Sequence, residues 1–357
     1  MRKIFTIILL IILVAGLVSF SGNGGDPGKN RLRFVYAQSP DQWPRPGVDE
    51  GVAWAELGPL PAGPFGNPGD SLSRLIELGK ALFFDPRLSA SGTISCATCH
   101  DPAMNWTDGK EKSIGHEGAV NKRNSPTIQN TWFYKKLFWD GRARDLQDQA
   151  FAPIISESEM GSDMPDVMRT LRNIRGYKEL FSKAYGTPGI DPDRITGAIA
   201  AFEKTILSNK SRFDKFLAGD KKALSNRELR GLHLFRTKAK CMNCHNGPMF
   251  SDNRFHKSIF PAGDDKGLYK VTHKEEDTGK FKTPSLRDVM RTGPWGHDGV
   301  LKHMEDILLA YNKASPSPGG GKTRSLSLTK KELADLLSFL QAISAPPAAF
   351  EKPVLPE

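Results

Sequence analysis

Cys96-Ala97-Thr98-Cys99-His100 and Cys241-Met242-Asn243-Cys244-His245 contain all four cysteines of the 357-residue chain. Two thiols three positions apart on one turn can each add to a vinyl group of a porphyrin, and the next residue then aims its imidazole at the iron. Cys-x-x-Cys alone also serves zinc sites and redox dithiols. A histidine directly after the second cysteine, in both pairs, favours two covalently bound c-type haems, and it leaves no cysteine for a disulfide. His100 and His245 are then the proximal iron ligands.

Outward from these pairs the sequence repeats itself. Gly79-Lys-Ala-Leu-Phe83 precedes the first pair and Gly231-Leu-His-Leu-Phe235 the second; Ser125-Pro126-Thr127-Ile128 and Thr283-Pro284-Ser285-Leu286 follow them; then come Trp139-Asp140-Gly141 and His297-Asp298-Gly299. This order describes two homologous halves, divided between Phe202 and Leu224, each one helical unit around one haem. Tyr311 stands 14 residues after His297, about four helical turns on, whereas the same count from Trp139 reaches Pro153, which has no donor atom. The two irons are therefore expected to differ in their sixth ligand.

Helix signals dominate the rest. Leu72, Leu75, Leu78, Leu82 and Phe83 recur at helical spacing behind Asp70 and Ser71. Asp191-Pro192 reads as an N-cap with proline at the first helical position, and Thr329 with Glu332 as a capping box. Alternating strand patterns are missing, so the fold class is mainly α with long loops. The chain opens Met1-Arg2-Lys3 and runs from Ile4 to Phe20 almost without polar residues, an export signal over 1–21; its 17 residues fall short of the about 20 of a membrane helix. Export places the protein in the periplasm, with a cleaved signal favoured over an uncleaved N-terminal anchor and no stable membrane span. Residues 22–68, with eight prolines and nine glycines, read as a linker. The N-terminal haem domain is expected over 69–210, the C-terminal one over 211–345, and a tail over 346–357.

The formal net charge of +10 bears on solubility and encounter rather than fold. Arg2 and Lys3 leave with the signal, and two haems bring about four propionate carboxylates. The mature surface is then mildly basic, which points away from nucleic acid and toward transient docking of a complementary redox protein.

These residues resemble the bacterial dihaem cytochrome c peroxidases and their relative MauG, which oxidises residues of a partner protein during quinone-cofactor biosynthesis. The resemblance spans about residues 60–343 and rests on Ser95-Cys-Ala-Thr-Cys-His100-Asp-Pro, Phe138-Trp-Asp-Gly-Arg142-Ala, Asp148-Gln-Ala-Phe-Ala-Pro153, Ser158-Glu-Met-Gly161 and Phe281-Lys-Thr-Pro-Ser-Leu-Arg287. It implies two cytochrome c-like α domains with facing haems, the first reacting with peroxide and the second passing electrons inward. It implies Trp139 as the aromatic relay between haems and Gln149, Pro153 and Glu159 as the distal pocket, where a carboxylate moves a proton between the peroxide oxygens. Asn124, with the backbone carbonyls of Thr292 and Pro294, matches the surroundings of a calcium ion between the domains, consistent with hard oxygen ligands.

His116, in Ser113-Ile-Gly-His116, matches the histidine that closes the peroxidatic iron of many resting peroxidases, which makes 107–124 the gating loop. Tyr311 matches the MauG-like branch rather than the methionine of most peroxidases. A phenolate stabilises ferric iron and lowers the potential; Met304, one heptad earlier, is the alternative ligand, with His303, Met290 and Met249 behind it. His233 reads as packing, His256 and His273 as exposed, and His297 as support beside the inter-haem route. The expected activity is reduction of hydrogen peroxide by electrons from a small redox protein, a cytochrome c or a cupredoxin, with homodimers common in the family. A MauG-like oxidation of protein residues and a closed dihaem electron carrier are the alternatives.

Overall fold

The structure, a computed structural model, describes residues 27–316 and 323–357; the expected signal over 1–21 lies outside the described residues. The chain is mainly helical, and among the described residues its one sheet is a two-stranded antiparallel ribbon, β1 (Phe255–Lys257) with β2 (Lys280–Lys282). Helix α1 spans Pro27–Tyr36, α2 Asp70–Phe84 and α3 Cys96–Cys99. Next come α4 (Leu146–Ile155), α5 (Met164–Asn173), α6 (Arg175–Tyr185) and α7 (Pro192–Glu203). After α8 (Arg212–Leu217) and α9 (Asn226–Arg236), the short α10 (Tyr269–Thr272) leads to α11 (Met304–Lys313) and α12 (Lys330–Ala342).

Each repeated Gly-x-x-x-Phe phrase lies on a helix that crosses a partner closely. A Cβ on Gly79 would lie 1.9 Å from the Ala198 carbonyl oxygen of α7, and one on Gly231 2.1 Å from the Asp335 carbonyl oxygen of α12. Only glycine permits the α2–α7 and α9–α12 approaches, and Phe83 and Phe235 then fill the space beside them. The expected start of α2 at Asp70, the N-cap of α7 at Asp191 and the capping box of α12 are all present.

Two apolar cores result. The first gathers Leu78, Phe83, Ile154, Leu171, Phe181 and Ile199; the second gathers Leu57, Phe213, Leu232, Phe250, Phe339 and Ile343. A small cluster of Leu137, Ala143, Leu146 and Ala200 lies apart from both.

The Pro/Gly-rich segment read as a linker is not a free spacer. Its described part starts with α1, and Tyr36, Trp43 and Leu57 are buried in the second core. The wholly buried Arg236 pairs with Glu56 and donates to the Tyr36 hydroxyl and the Pro44 carbonyl. Asp49 takes Arg324 at 2.6 Å and Asn243 at 2.9 Å. An irregular backbone can be fixed in this way because distant side chains satisfy its polar groups. The tail makes the opposite crossing: Phe350 and Leu355 pack against the first core. Each end of the described chain thus covers the half remote from it in sequence.

Candidate active site

Both Cys-His pairs form single turns. Ser95 and Thr98 make a capping box on α3, and the amides of His100 and His245 donate to the carbonyls of Cys96 and Cys241 at 3.0 and 2.8 Å. Each imidazole is then fixed through Nδ1, that of His100 by the Trp106 carbonyl at 3.1 Å and that of His245 by the Phe250 carbonyl at 2.9 Å. Trp106 and Phe250 both sit in the left-handed region, with φ of 60° and 52°. For a non-glycine residue this costs about 1–2 kcal/mol, and here it turns the ring into the core and the carbonyl toward the histidine. Burial pushes both imidazoles below the usual histidine range, opposed by these carbonyls and by those of Pro126 and Pro284. Burial favours the neutral ring, in which Nδ1–H donates to the carbonyl and the Nε2 lone pair is left free, the form an iron ligand requires.

The sulfurs argue the same way. Burial pushes the Cys99 thiol up to about 11 and those of Cys241 and Cys244 to about 12, and raises Cys96 further. Four thiols buried in this way are protonated and unreactive as free groups, unlike an exposed low-pKa redox cysteine. Among the described residues no three His, Cys, Asp or Glu side chains form a metal cluster.

Of the three distal residues expected from the sequence, Glu159 is the one whose charge acts on the first turn. Gln149 and Pro153 are one helical turn apart on α4, and the turn after this helix returns Glu159, with the Met160 amide donating to the Pro153 carbonyl at 3.1 Å. The Glu159 carboxylate lies close enough to Cys96 and Cys99 to raise both thiols. Its own pKa is raised by burial, against the lowering effects of Arg142 and of a hydrogen bond from Asn121. The loop 107–124 docks on this turn: the His116 amide donates to the Glu159 carbonyl at 2.7 Å, and the His116 ring packs on Gly161. Its Nδ1 is buried without a partner. A Cβ on Gly115 would lie 2.2 Å from the Ser158 carbonyl oxygen, so this glycine is a requirement of the docking.

At the second turn, burial raises the Tyr311 hydroxyl, with further increments from Cys244 and Cys241. The phenol therefore belongs to the second Cys-His turn, whereas Met304 packs into the second core. Trp139 Nε1 donates to the Asn124 carbonyl at 3.0 Å, and the Asn124 side-chain amide donates to the Lys110 carbonyl at 2.9 Å. His297 is buried and stacks on Phe281 at 4.0 Å. Of the remaining histidines, His233 bonds the Tyr36 hydroxyl at 2.9 Å, a packing role, whereas His256 is paired with Asp252 at 2.7 Å rather than free in solvent. Sequence reasoning missed the Trp106 and Phe250 carbonyls, although an aromatic residue five or six positions after each Cys-His pair was a visible signal. It missed Asn121 and Arg142 as well, which act on Glu159 through a hydrogen bond and through space, respectively.

The sequence model of the di-haem cytochrome c peroxidase family matches residues 73–222. A cytochrome c551 peroxidase of Nitrosomonas europaea is 38% identical over 79% of this chain and 83% of its own. The chain belongs to the di-haem cytochrome c peroxidase family. Another relative, the methylamine utilization protein MauG of Methylorubrum extorquens, is 40% identical over 79% of this chain and 81% of its own. A solved MauG-like protein associated with microbial copper homeostasis, 29% identical, superposes with a TM-score of 0.67 over 84% of this chain and 93% of its own. Membership in the di-haem peroxidases implies two haem cofactors, and the two neutral, Nδ1-anchored histidines beside paired thiols fit that requirement. Among the described residues no helix is long and apolar enough to cross a membrane.

Proposed function

We infer that this di-haem peroxidase reduces hydrogen peroxide to water at the first Cys-His turn, with electrons delivered by a small periplasmic redox protein, a cytochrome c or a cupredoxin. Cys96 and Cys99 hold one haem covalently and Cys241 and Cys244 the other, with His100 and His245 as iron ligands, and the haems supply the redox chemistry when bound. The reading is supported by one asymmetry: the buried Glu159 carboxylate acts on Cys96 and Cys99, while Tyr311 is the group that Cys241 and Cys244 act on.

Glu159 takes a proton from one peroxide oxygen and returns it to the other, so that the departing oxygen leaves as water. Its burial serves this role, since desolvation raises its pKa and makes the carboxylate a better proton acceptor than an exposed glutamate. Gln149 and Pro153 fix the peroxide and limit water, and His116 with the loop 107–124 governs access. Trp139, pinned by its indole N–H, is the aromatic group between the halves. Asn124, with the Thr292 and Pro294 carbonyls, binds calcium there; the hydrogen bond of its nitrogen to Lys110 leaves the side-chain oxygen as ligand.

Tyr311 beside Cys241 and Cys244 supports a second reading, in which oxidising equivalents are passed to residues of a partner protein. Peroxide consumption with reduced cytochrome c or cupredoxin, and paramagnetic resonance of the oxidised and half-reduced protein, separate the two. Turnover with a small donor is expected. Oxidation of a partner protein without donor turnover would favour the second reading, and six-coordinate iron inert to peroxide in every state would exclude both.

A further inference from the structure

The two halves meet through a crossed pair of backbone hydrogen bonds. The Asn124 N–H donates to the His297 carbonyl and the Lys282 N–H to the Trp139 carbonyl, each at 2.9 Å. Trp139 and His297 are repeat mates, and one constant offset along the chain also pairs Asn124 with Lys282, Gly141 with Gly299 and Tyr134 with Thr292. The bridge Leu137–Ala143 has its mate in Trp295–Leu301 under the same offset. A pseudo-two-fold therefore relates the surroundings of Asn124 to those of Lys282. Where the resemblance puts Asn124 and Thr292 at a calcium ion, the mates are Lys282 and Tyr134, and the Lys282 ammonium lies 3.3 Å from the centre of the Tyr134 ring.

This ammonium is nine-tenths buried, and burial lowers its pKa to about 7. Among the described residues it has no carboxylate partner: Asp252 is held by His256, Asp277 by Lys280, and Asp265 by Arg123 and Lys270. A buried cation facing only an aromatic ring is expensive unless an anion completes its surroundings. Two residues on, the Pro284 carbonyl faces the His245 imidazole, so Lys282 borders the second Cys-His turn. A haem seated there brings carboxylates of its own.

We propose that Lys282 is the chain's built-in cation for a propionate of the second haem, occupying across the pseudo-two-fold the place that calcium takes at Asn124. The proposal rests on the reading of two covalent haems. The lysine charge favours the ferrous state of that haem and opposes the effect of a Tyr311 phenolate. One cation is thus exchangeable and the other fixed by the sequence.

The test uses the haem-loaded protein, with Lys282→Gln and Lys282→Arg compared by spectroelectrochemical titration, with and without a calcium chelator. Covalent haem staining of the wild type must first show two haems; its failure would remove the underlying reading rather than this proposal. Lys282→Gln is expected to lower the potential of the His245 haem alone, by the same shift in chelator, and Lys282→Arg to restore it. Unmoved potentials in Lys282→Gln, a shift confined to the His100 haem, or an Arg variant that shifts or loses haem as Gln does, would each overturn the proposal.

Discussion

Replacing Phe350 by alanine tests whether the tail is part of the peroxidatic site. The ring stacks on Phe84 at 5.4 Å and 15°, meets Trp106 edge-on at 4.9 Å, and carries the Lys80 ammonium 4.7 Å from its centre. Truncating a wholly buried phenylalanine costs about 3–5 kcal/mol; Phe350 is half-buried, so about 2 kcal/mol is expected from burial. The stacked pair adds about 0.5–1 kcal/mol and the cation about 0.5 kcal/mol. A total of about 3 kcal/mol corresponds to a fall of roughly 6–12 °C in the melting temperature of the first half. The effect should also reach the iron, since Trp106 is the residue whose carbonyl fixes His100. Calorimetry of the haem-loaded protein measures the first quantity, and resonance Raman of the iron–histidine stretch the second. A softer stretch at the first haem with an unchanged second haem is expected, and Phe350→Leu should recover most of both. Full thermal loss with an unaltered His100 signature would refute the link between tail and site.

Three further outcomes follow from the geometry. Glu159→Gln should slow peroxide cleavage about 10²–10⁴-fold with both haems retained; because burial raises the Glu159 pKa, wild-type turnover should decline with falling pH earlier than an ordinary glutamate would allow, and unchanged rapid-mixing kinetics would remove its role. Gly115→Ala forces the loop 107–124 off the Ser158 carbonyl, so the oxidised protein should react with peroxide faster without prior reduction, as stopped-flow absorbance can show. Arg287→Met strips Asp214 of its guanidinium, which donates at 3.0 Å between two nearly inaccessible side chains, and should cost about 3–5 kcal/mol by denaturant titration. Burial alone raises the Asp214 pKa, but Arg287 and Ser211 hold it below the carboxylate range. The stability it contributes is therefore complete above the unfolded pKa and lost as pH falls through the lower folded one, a limb the variant should lack.

What the sequence disclosed and what it hid divide by the range of the interaction. The Cys-His turns, the caps of α7 and α12 and the repeat are local, and they were legible residue by residue. The glycines of the repeat were visible as a pattern, yet their reason, contact with Ala198 and Asp335, lies across helix pairs. Residues 22–68 read as a linker because proline and glycine are frequent in them, while the contacts that order the described part come from Arg236, Asn243 and Arg324 far along the chain. Phe350 was hidden for the same reason. Lys282 reads as one more surface charge in a basic chain, and only the constant offset to Asn124 marks it. His256 looked exposed among charges, although Asp252 stands four residues before it and pairs with it.

The crossed hydrogen bonds at the junction have a further consequence. Asn124 meets His297 as Lys282 meets Trp139, which is the self-complementary arrangement of an isologous interface, the kind that joins two copies of one subunit. The single chain is built like a fused dimer, and a symmetric frame of that sort is indifferent to the direction of electron flow. Rectification must therefore come from the mates that differ: Pro153 against Tyr311, Trp139 against His297, Phe138 against Gly296, and Asn124 against Lys282. Exchanges such as these, with Glu159 on one side against Ser317 on the other, rather than the fold, are what the inferred function requires to make one end the oxidant's entrance and the other the reductant's.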